Sequence, residues 1–207
     1  DDSHTRYLQT MGTYLTYKNS NWNLDGAFYY QMGKNKAADK VSALMGSIQA
    51  AYTFDHTWGA VASFDYLSGD KGGGDKFKAF DPLYGTHHKF YGAMDYFYAS
   101  AFKYGAPGLI DGRLGIRLRP SSKVDMELNY HYFSTAVKVQ DLKKSLGSEV
   151  DYQINWSIMK DVKLSAGYSF MRGTKTMDAV KTGNHKSWQD WGWLSLNINP
   201  KVFFTKW

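Results

Sequence analysis

The chain of 207 residues lacks cysteine entirely, and it lacks any run of about 20 apolar residues. The absence of cysteine excludes disulfide bonds and thiolate metal sites, and it leaves the cellular compartment open. The absence of long apolar runs, with a mean hydropathy of −0.50, excludes membrane-spanning helices. The first ten residues, DDSHTRYLQT, have no basic segment before an apolar core, so any export signal is expected to have been removed.

Linkers, low-complexity segments and clustered basic residues are also missing. The sequence therefore predicts a single domain over residues 1–207, with a long loop at about 69–108. The net charge is +6, but lysines and arginines are interspersed with acids, so we expect no nucleic-acid partner. The segment GDKGGGDK, Gly69–Lys76, lacks the spacing of a phosphate-binding loop and is interpreted as an exposed loop tip. We expect no cofactor.

What the sequence does contain is a repeated period of two. In KVDMELNYHYFS, Lys123–Ser134, one set of alternate positions is apolar and the other is polar or charged, which indicates a strand. The same pattern predicts about nine antiparallel strands, and hence an all-β fold. Their expected bounds are Arg6–Lys18, Trp22–Met32, Val41–Phe54, Trp58–Tyr66, Ile110–Arg119, Val124–Tyr132, Glu149–Ile158, Val162–Met171 and Trp188–Ile198.

The apolar face is predicted to contact lipid. Aromatic residues stand near the ends of this face in the first four strands, where a transmembrane barrel carries its aromatic girdles. Connections also alternate between tight turns and longer loops, as in up-and-down outer-membrane barrels. The alternative is a soluble, aromatic-rich β-sandwich, which period two alone does not exclude.

The longest loop resembles a known family. AFDPLYGTHHKFYGAMDYFYAS, Ala79–Ser100, is similar to a loop motif of the alginate export family of outer-membrane β-barrels, particularly those of Bacteroidetes-type bacteria. The preceding segments AFYYQMGK and FDYLSGDK fit the same family. The resemblance implies a porin-like channel in the Gram-negative outer membrane, which passes polymer or small solutes passively through a barrel larger than this chain.

The alternation assigns a charged wall to the barrel interior, because unpaired arginines are costly in hydrocarbon. We expect Arg117 or Arg119 to reach Asp125 or Glu127 across a tight turn. The wall would either select solutes or form a rigid ladder of ion pairs, and its arginines favour an anionic saccharide. The predicted pore-lining residues are Asp111, Arg113, Arg117, Arg119, Asp125, Glu127, His131, Glu149, Asp151 and Lys163.

The aromatic part of the long loop, Phe80–Tyr98, is too apolar to remain in water, so we predict that it folds into the barrel and narrows the pore. Adjacent histidines on an extended chain point apart, so His87 and His88 with Asp95 are not expected to bind a metal. The predicted constriction residues are Phe80, Asp81, Tyr84, His88, Phe90, Tyr91 and Asp95.

Two other functions stay open. An outer-membrane barrel enzyme would need a nucleophile, a base and an orienting group at one site, but the spacing of His131 and Ser134 places them on opposite faces of a strand. We therefore expect no enzyme. A surface receptor or adhesin that uses its outer loops is not excluded by the sequence.

The strand count predicts an incomplete barrel. Single-chain bacterial barrels have an even number of strands with no open edge, whereas nine is odd. The aromatic ending NPKVFFTKW resembles a C-terminal assembly signal. The chain is thus expected to be the C-terminal half of a barrel of roughly 18 strands, with an N-terminal half and outer-membrane lipid as its partners. The alternative is a tenth strand at Asp95–Phe102 and a small closed barrel.

Overall fold

The computed structural model describes residues 6–82, 90–97, 106–200 and 203. Nine antiparallel strands form one sheet in which each strand pairs with its neighbours in sequence, so the predicted all-β, up-and-down fold is confirmed. The strands are β1 (Leu8–Lys18), β2 (Trp22–Lys34), β3 (Lys40–Thr53), β4 (Trp58–Leu67), β5 (Leu109–Ser121), β6 (Val124–Ser134), β7 (Ser145–Met159), β8 (Val162–Gly173) and β9 (Gln189–Ile198); a short helix, α1 (Lys175–Lys181), precedes β9.

The register keeps the two sets of side chains on separate faces across the whole sheet. Trp22 pairs with Tyr52, Ala62 pairs with Leu114, and Leu114 pairs with Tyr130, so the predicted apolar positions share one face. We call this the outer face. Its large side chains are exposed, Leu114 by 64% and Ile48 by 63%. An apolar face of this extent, unburied by any other part of the described chain, is what a lipid-facing sheet presents.

Tight turns occupy one end of the sheet. The side-chain oxygen of Asn19 accepts hydrogen bonds from the backbone N–H groups of Asn21 and Trp22, at 2.9 and 2.7 Å, between β1 and β2. Asp55 does the same between β3 and β4, where the N–H groups of Trp58 and Thr57 lower the pKa of its carboxyl. Such side-chain contacts to the backbone two or three residues onward define Asx turns, so these polar residues set the strand register.

The connections at the opposite end are longer, with one exception. Residues 68–108, 135–144 and 174–188 join β4 to β5, β6 to β7 and β8 to β9. The connection between β2 and β3, which the sequence predicts to be longer, is only residues 35–39, because both strands extend beyond their expected ends. Strand β7 likewise begins at Ser145 rather than at Glu149.

A small apolar core lies under the long loops. Leu67, Leu109, Phe133 and Met171 stand on the inner face, where their strands end, and loop side chains cover them. Helix α1 contributes Met177 and Val180 to this core, and Thr174 caps its first turn. No helix among the described residues is long and apolar enough to cross a membrane.

The sheet is not closed. Within the described part of the chain, β1 pairs only with β2 and β9 only with β8. The described residues of the suggested tenth strand, 95–97, are not in a strand, and the rest of that segment lies outside the description. The structure therefore differs from the small closed barrel, while the half-barrel hypothesis stays a prediction.

The assignment of the faces can be tested with neighbouring substitutions on β9. Leu194 lies on the outer face and Ser195 on the inner face, and both are exposed. Leu194→Arg should lower the free energy of unfolding in lipid vesicles by about 2–4 kcal/mol, because the guanidinium would enter hydrocarbon. Ser195→Arg, measured in the same denaturant titration, should cost much less. Equal losses for the two variants would contradict the outward orientation of the apolar face.

Candidate functional site

The inner face brings the predicted wall residues into rows across the sheet. In one row Arg113 pairs with His131, which pairs with Glu149. In the next rows Arg117 pairs with Glu127, and Asp111 lies opposite Asp65. The face on which each residue lies could be predicted from the sequence, because alternation is a local pattern. Which acidic and basic side chains become neighbours depends on how the strands pair, and the structure shows that pairing.

The ion pairs expected near the tight turn are present. Arg117 Nε lies 3.1 Å from Glu127 Oε1, and Arg119 Nε lies 2.7 Å from Asp125 Oδ2. Both arginines remain open to solvent, with side-chain exposures of 40% and 64%. Ion pairs of this exposure contribute little to stability, roughly 0–1 kcal/mol, so their charges remain available to a solute.

Arg113 uses a different partner. Its guanidinium donates a hydrogen bond to Gln49, which reaches it from β3 across the intervening strand β4. Gln49 in turn donates to Asp25 of β2, at 3.2 Å. These contacts form a chain of charged and amide groups from β2 to β5 that fixes the direction of the Arg113 side chain.

A buried histidine lies between two carboxylates. His131 Nδ1 is 2.9 Å from Asp111 Oδ1, and His131 Nε2 is 3.5 Å from Asp151 Oδ2. The imidazole also stacks on Phe133, with ring centroids 5.5 Å apart. Because both ring nitrogens face carboxylates, neither is free to deprotonate a nucleophile, and Ser134 lies on the outer face. The described residues contain no group of three or more His, Asp or Glu side chains arranged to hold a metal ion.

The long loop covers this acidic part of the wall. We call residues 77–82 and 90–97 the strap. The backbone N–H of Met94 donates to Glu149 Oε1 at 2.9 Å, and that of Ala93 donates to Asp151 Oδ2 at 3.3 Å. Both carboxylates are buried, Glu149 completely. The strap thus supplies hydrogen bonds that water would otherwise provide, which makes the burial of the acids tolerable.

Gly92 permits this close approach. Its φ is +86°, a conformation that residues with side chains rarely adopt, and a Cβ there would stand 2.6 Å from Glu149 Oε1. The backbone conformation therefore favours glycine at this position, and a Cβ would also displace the Glu149 carboxylate. Tyr91 beside it is buried, and this burial, with Asp65 and Asp111 nearby, raises the pKa of its phenol.

The strap reaches across the inner face to distant strands. Gln31 of β2 is 1% exposed and holds the backbone of Asp81 at two points, accepting from its N–H at 2.8 Å and donating to its carbonyl at 2.6 Å. At the other end, the Tyr96 hydroxyl donates to Gln189 of β9 at 2.6 Å. The strap belongs to the β4–β5 connection, so contacts with both β2 and β9 mean that the sheet curves around it.

Below the strap lies a polar cavity of about 420 Å³. Of the predicted wall it is lined by Asp111, Arg113, Arg117, Glu127, His131 and Asp151. Phe90 and Tyr91 of the strap form its cover.

The remaining predicted residues lie elsewhere. Glu149 is buried beneath the strap, and Arg119, Asp125 and Lys163 are on the inner face nearer the tight turns. Phe80 packs on the apolar core, and Asp95 is half-buried in the strap. Tyr84, His88 and the neighbouring His87 lie outside the described residues. The roles of all these residues in a pore stay predictions.

Sequence reasoning missed three kinds of residue. Gln31 and Gln49 are polar inner-face positions whose partners are distant in the chain, so alternation marks their face but not their contacts. Phe133 and Met171 are apolar residues on the inner face, and their only signal is their position beside long loops. Trp193, which also lines the cavity, belongs to the inner set of β9, which the sequence did not separate into faces.

Comparison with known protein families agrees with this architecture. The description "Alginate export" applies to a family that matches residues 1–149, which include β1 to β6, the strap and the start of β7. The chain belongs to the alginate export family. Members are outer-membrane proteins with an export or porin-like role, and the nine-stranded sheet without membrane-spanning helices is consistent with such a barrel. A search of curated proteins gave no match.

The glycine under the strap allows a test of the strap's attachment. Gly92→Ala should release the Ala93 and Met94 amides from β7, because its methyl group would displace the Glu149 carboxylate that accepts from Met94. Amide hydrogen exchange over residues 90–97 should become at least tenfold faster, corresponding to about 1.4 kcal/mol of lost protection. Gly72→Ala is the matched control, since Gly72 also has a positive φ, +75°, but no atom within 4 Å of a Cβ. Unchanged exchange in Gly92→Ala would contradict the attachment.

Proposed function

We propose that this protein is a passive channel of the bacterial outer membrane, with the cavity under the strap as part of its solute path. The family supports export or porin-like transport. The polar inner face, the apolar outer face and the strap that reduces the opening all suit a water-filled, narrowed pore.

Anionic oligosaccharides or polysaccharides are the proposed solutes. The observation that carries this proposal is a difference in exposure between the charges of the wall. Asp111 and Glu149 are 2% and 0% exposed. The side chains of Arg117 and Arg119 are 40% and 64% exposed, more than the 31% and 32% of their partners Glu127 and Asp125. The buried acids are engaged by His131 and by the strap, so a solute meets the arginines first. Exposed arginines attract carboxylated solutes and bind them in bidentate fashion.

The channel proposal is tested in planar bilayers with the complete barrel. The wild-type protein should give ohmic conductance and a reversal potential that favours anions across a salt gradient. Replacing Arg113, Arg117 and Arg119 by glutamine should shift the reversal potential towards cations, because the exposed positive charges of the wall are lost.

The control for this triple variant is the replacement of Lys34, Lys36 and Lys40 by glutamine. These lysines are exposed around the β2–β3 connection, and their loss changes the net charge equally. We expect this control to alter the reversal potential much less. Equal shifts would assign the selectivity to overall charge rather than to the wall, and absence of conductance would overturn the channel.

We further propose that an additional strand-forming segment completes the barrel between β1 and β9. Two open edges in lipid would leave backbone N–H and C=O groups without partners, at several kcal/mol each. The nine-stranded sheet, open among the described residues, supports a whole of roughly 18 strands.

Cross-linking distinguishes a half-barrel from a closed small barrel. Because the sequence has no cysteine, only the introduced thiols react. Thr13→Cys with Phe28→Cys joins paired positions of β1 and β2 and serves as the positive control. Thr13→Cys with Leu194→Cys places one cysteine on each edge strand. In the assembled membrane protein, a short bis-maleimide should link the first pair within one chain and leave the second pair unlinked. Efficient linkage of the second pair within one chain would show that β1 and β9 meet.

A further inference from the structure

Two tryptophans on β9 have no part in the charged wall or in the lipid face. Trp191 pairs with Ser169 and Trp193 with Gly167, so both indoles lie on the inner face. The other inner positions of β9 are polar, namely Gln189, Ser195 and Asn197. The outer positions of the same strand include Leu194, Leu196 and Ile198, so the tryptophans are not displaced members of a lipid-facing set.

The indole of Trp193 lies against the floor of the wall. A Cβ at Gly167 would stand 2.3 Å from Trp193 Nε1 and 2.5 Å from Cε2, so the ring occupies the space that a side chain on β8 would need. The indole of Trp193 therefore covers Gly167 of β8, and the same side chain lines the cavity. We call the inner-face surface of this ring and of Trp191 the platform.

Trp191 extends this platform. The two indole centroids are 6.4 Å apart, with an interplanar angle of 37°, so the rings are side by side rather than stacked on each other. Trp191 is 43% exposed. Indole rings on the wet side of a barrel offer a solute an apolar surface and an N–H donor.

Most of the nearest groups on β7 and β8 are hydroxyls and amides. Trp193 lines the cavity together with Gln153 and Ser169, and the carboxylate of Asp151 lies beyond Ser169 in the row of Trp191. Beside them, Ser165 donates a hydrogen bond to Asn155 at 2.7 Å, and Gln153 donates to Asn155 at 3.3 Å. An apolar aromatic surface next to short polar groups matches a pyranose ring, which has an apolar C–H face and hydroxyls around its edge.

We propose that Trp191 and Trp193 form a sugar-stacking subsite on the inner wall, which binds saccharide rings through their C–H faces independently of charge. This inference rests on the proposed channel and deepens it by assigning the residues that bind the sugar ring. The arginines across the cavity recognise carboxylate groups, and the platform recognises the ring. Both tryptophans lie beyond residue 149, outside the part of the chain that matches the family.

The test uses a neutral linear hexasaccharide of glucose, because a neutral probe isolates ring stacking from attraction to the arginines. Binding to the purified, folded barrel in detergent is measured by calorimetry. The Trp193→Ala variant should weaken binding roughly tenfold, which corresponds to about 1.4 kcal/mol, because the stacking contact with the sugar ring is lost. Trp193→Phe should restore most of the affinity, because a flat ring is retained. A merely structural role for Trp193 would not produce this pattern at equal stability.

Trp156→Ala provides the matched control. Trp156 is 46% exposed, similar to Trp191, but it lies on the outer face of β7, so its loss should leave binding unchanged. Absence of hexasaccharide binding by the wild-type protein, or equal losses in Trp193→Ala and Trp156→Ala, would overturn the subsite.

Conductance of the same preparations without sugar separates this inference from the proposed function. Protein that conducts but does not bind the hexasaccharide would support the channel and contradict the subsite. Protein that binds the hexasaccharide through Trp193 but does not conduct keeps the subsite and removes the channel, and the site then belongs to a saccharide-binding surface protein.

Discussion

The alternation of side chains across eight strand pairs, which register shifts interrupt only near the ends of β5, β6 and β7, is the constraint on which the rest of the structure depends. A shift of one residue in any pair would exchange the faces of every strand beyond it, and would bring arginines into contact with lipid. The tight turns at Asn19 and Asp55 resist such a shift, because their side chains bind backbone N–H groups at fixed offsets. The position of each wall charge thus follows from local turn chemistry repeated along the chain.

The strap adds hydrogen bonds to the wall that the alternation of side chains does not provide. Carboxylates of Asp111, Glu149 and Asp151 are concentrated on one part of the wall, and their mutual repulsion and burial would destabilise a bare sheet. His131 lies between two of them, while the N–H groups of the strap reach Glu149 and Asp151. The same contacts that give Glu149 and Asp151 a hydrogen-bond donor also hold the strap on the inner face. The stability of this part of the wall and the position of the strap therefore have one physical origin.

The sequence was sufficient for features that depend on near neighbours and insufficient for those that depend on distant ones. The two faces and the ion pairs beside the β5–β6 turn follow from a period of two and a short connection, and the structure contains them. The strap contacts join residues 50 to 93 positions apart, as in Asp81 with Gln31 and Tyr96 with Gln189. No local pattern specifies which inner position such a loop will meet. Helix α1 was missed for the opposite reason, since its seven residues are too few for a clear helical period.

The inner wall divides its chemistry between two sides of the cavity. On β5, Arg117 and Arg119 are partly exposed, and so are their acidic partners on β6. On β8 and β9, Gly167 leaves space for the indole of Trp193. The neighbouring inner positions, such as Ser165 and Ser195, carry short polar side chains. Charge acts over a Debye length of about 8 Å, whereas ring contact acts only at touching distance. In the proposed channel, a charged saccharide would therefore be attracted by the arginines before it contacts the indoles, and the short range of the indole contact would allow the solute to dissociate and move on.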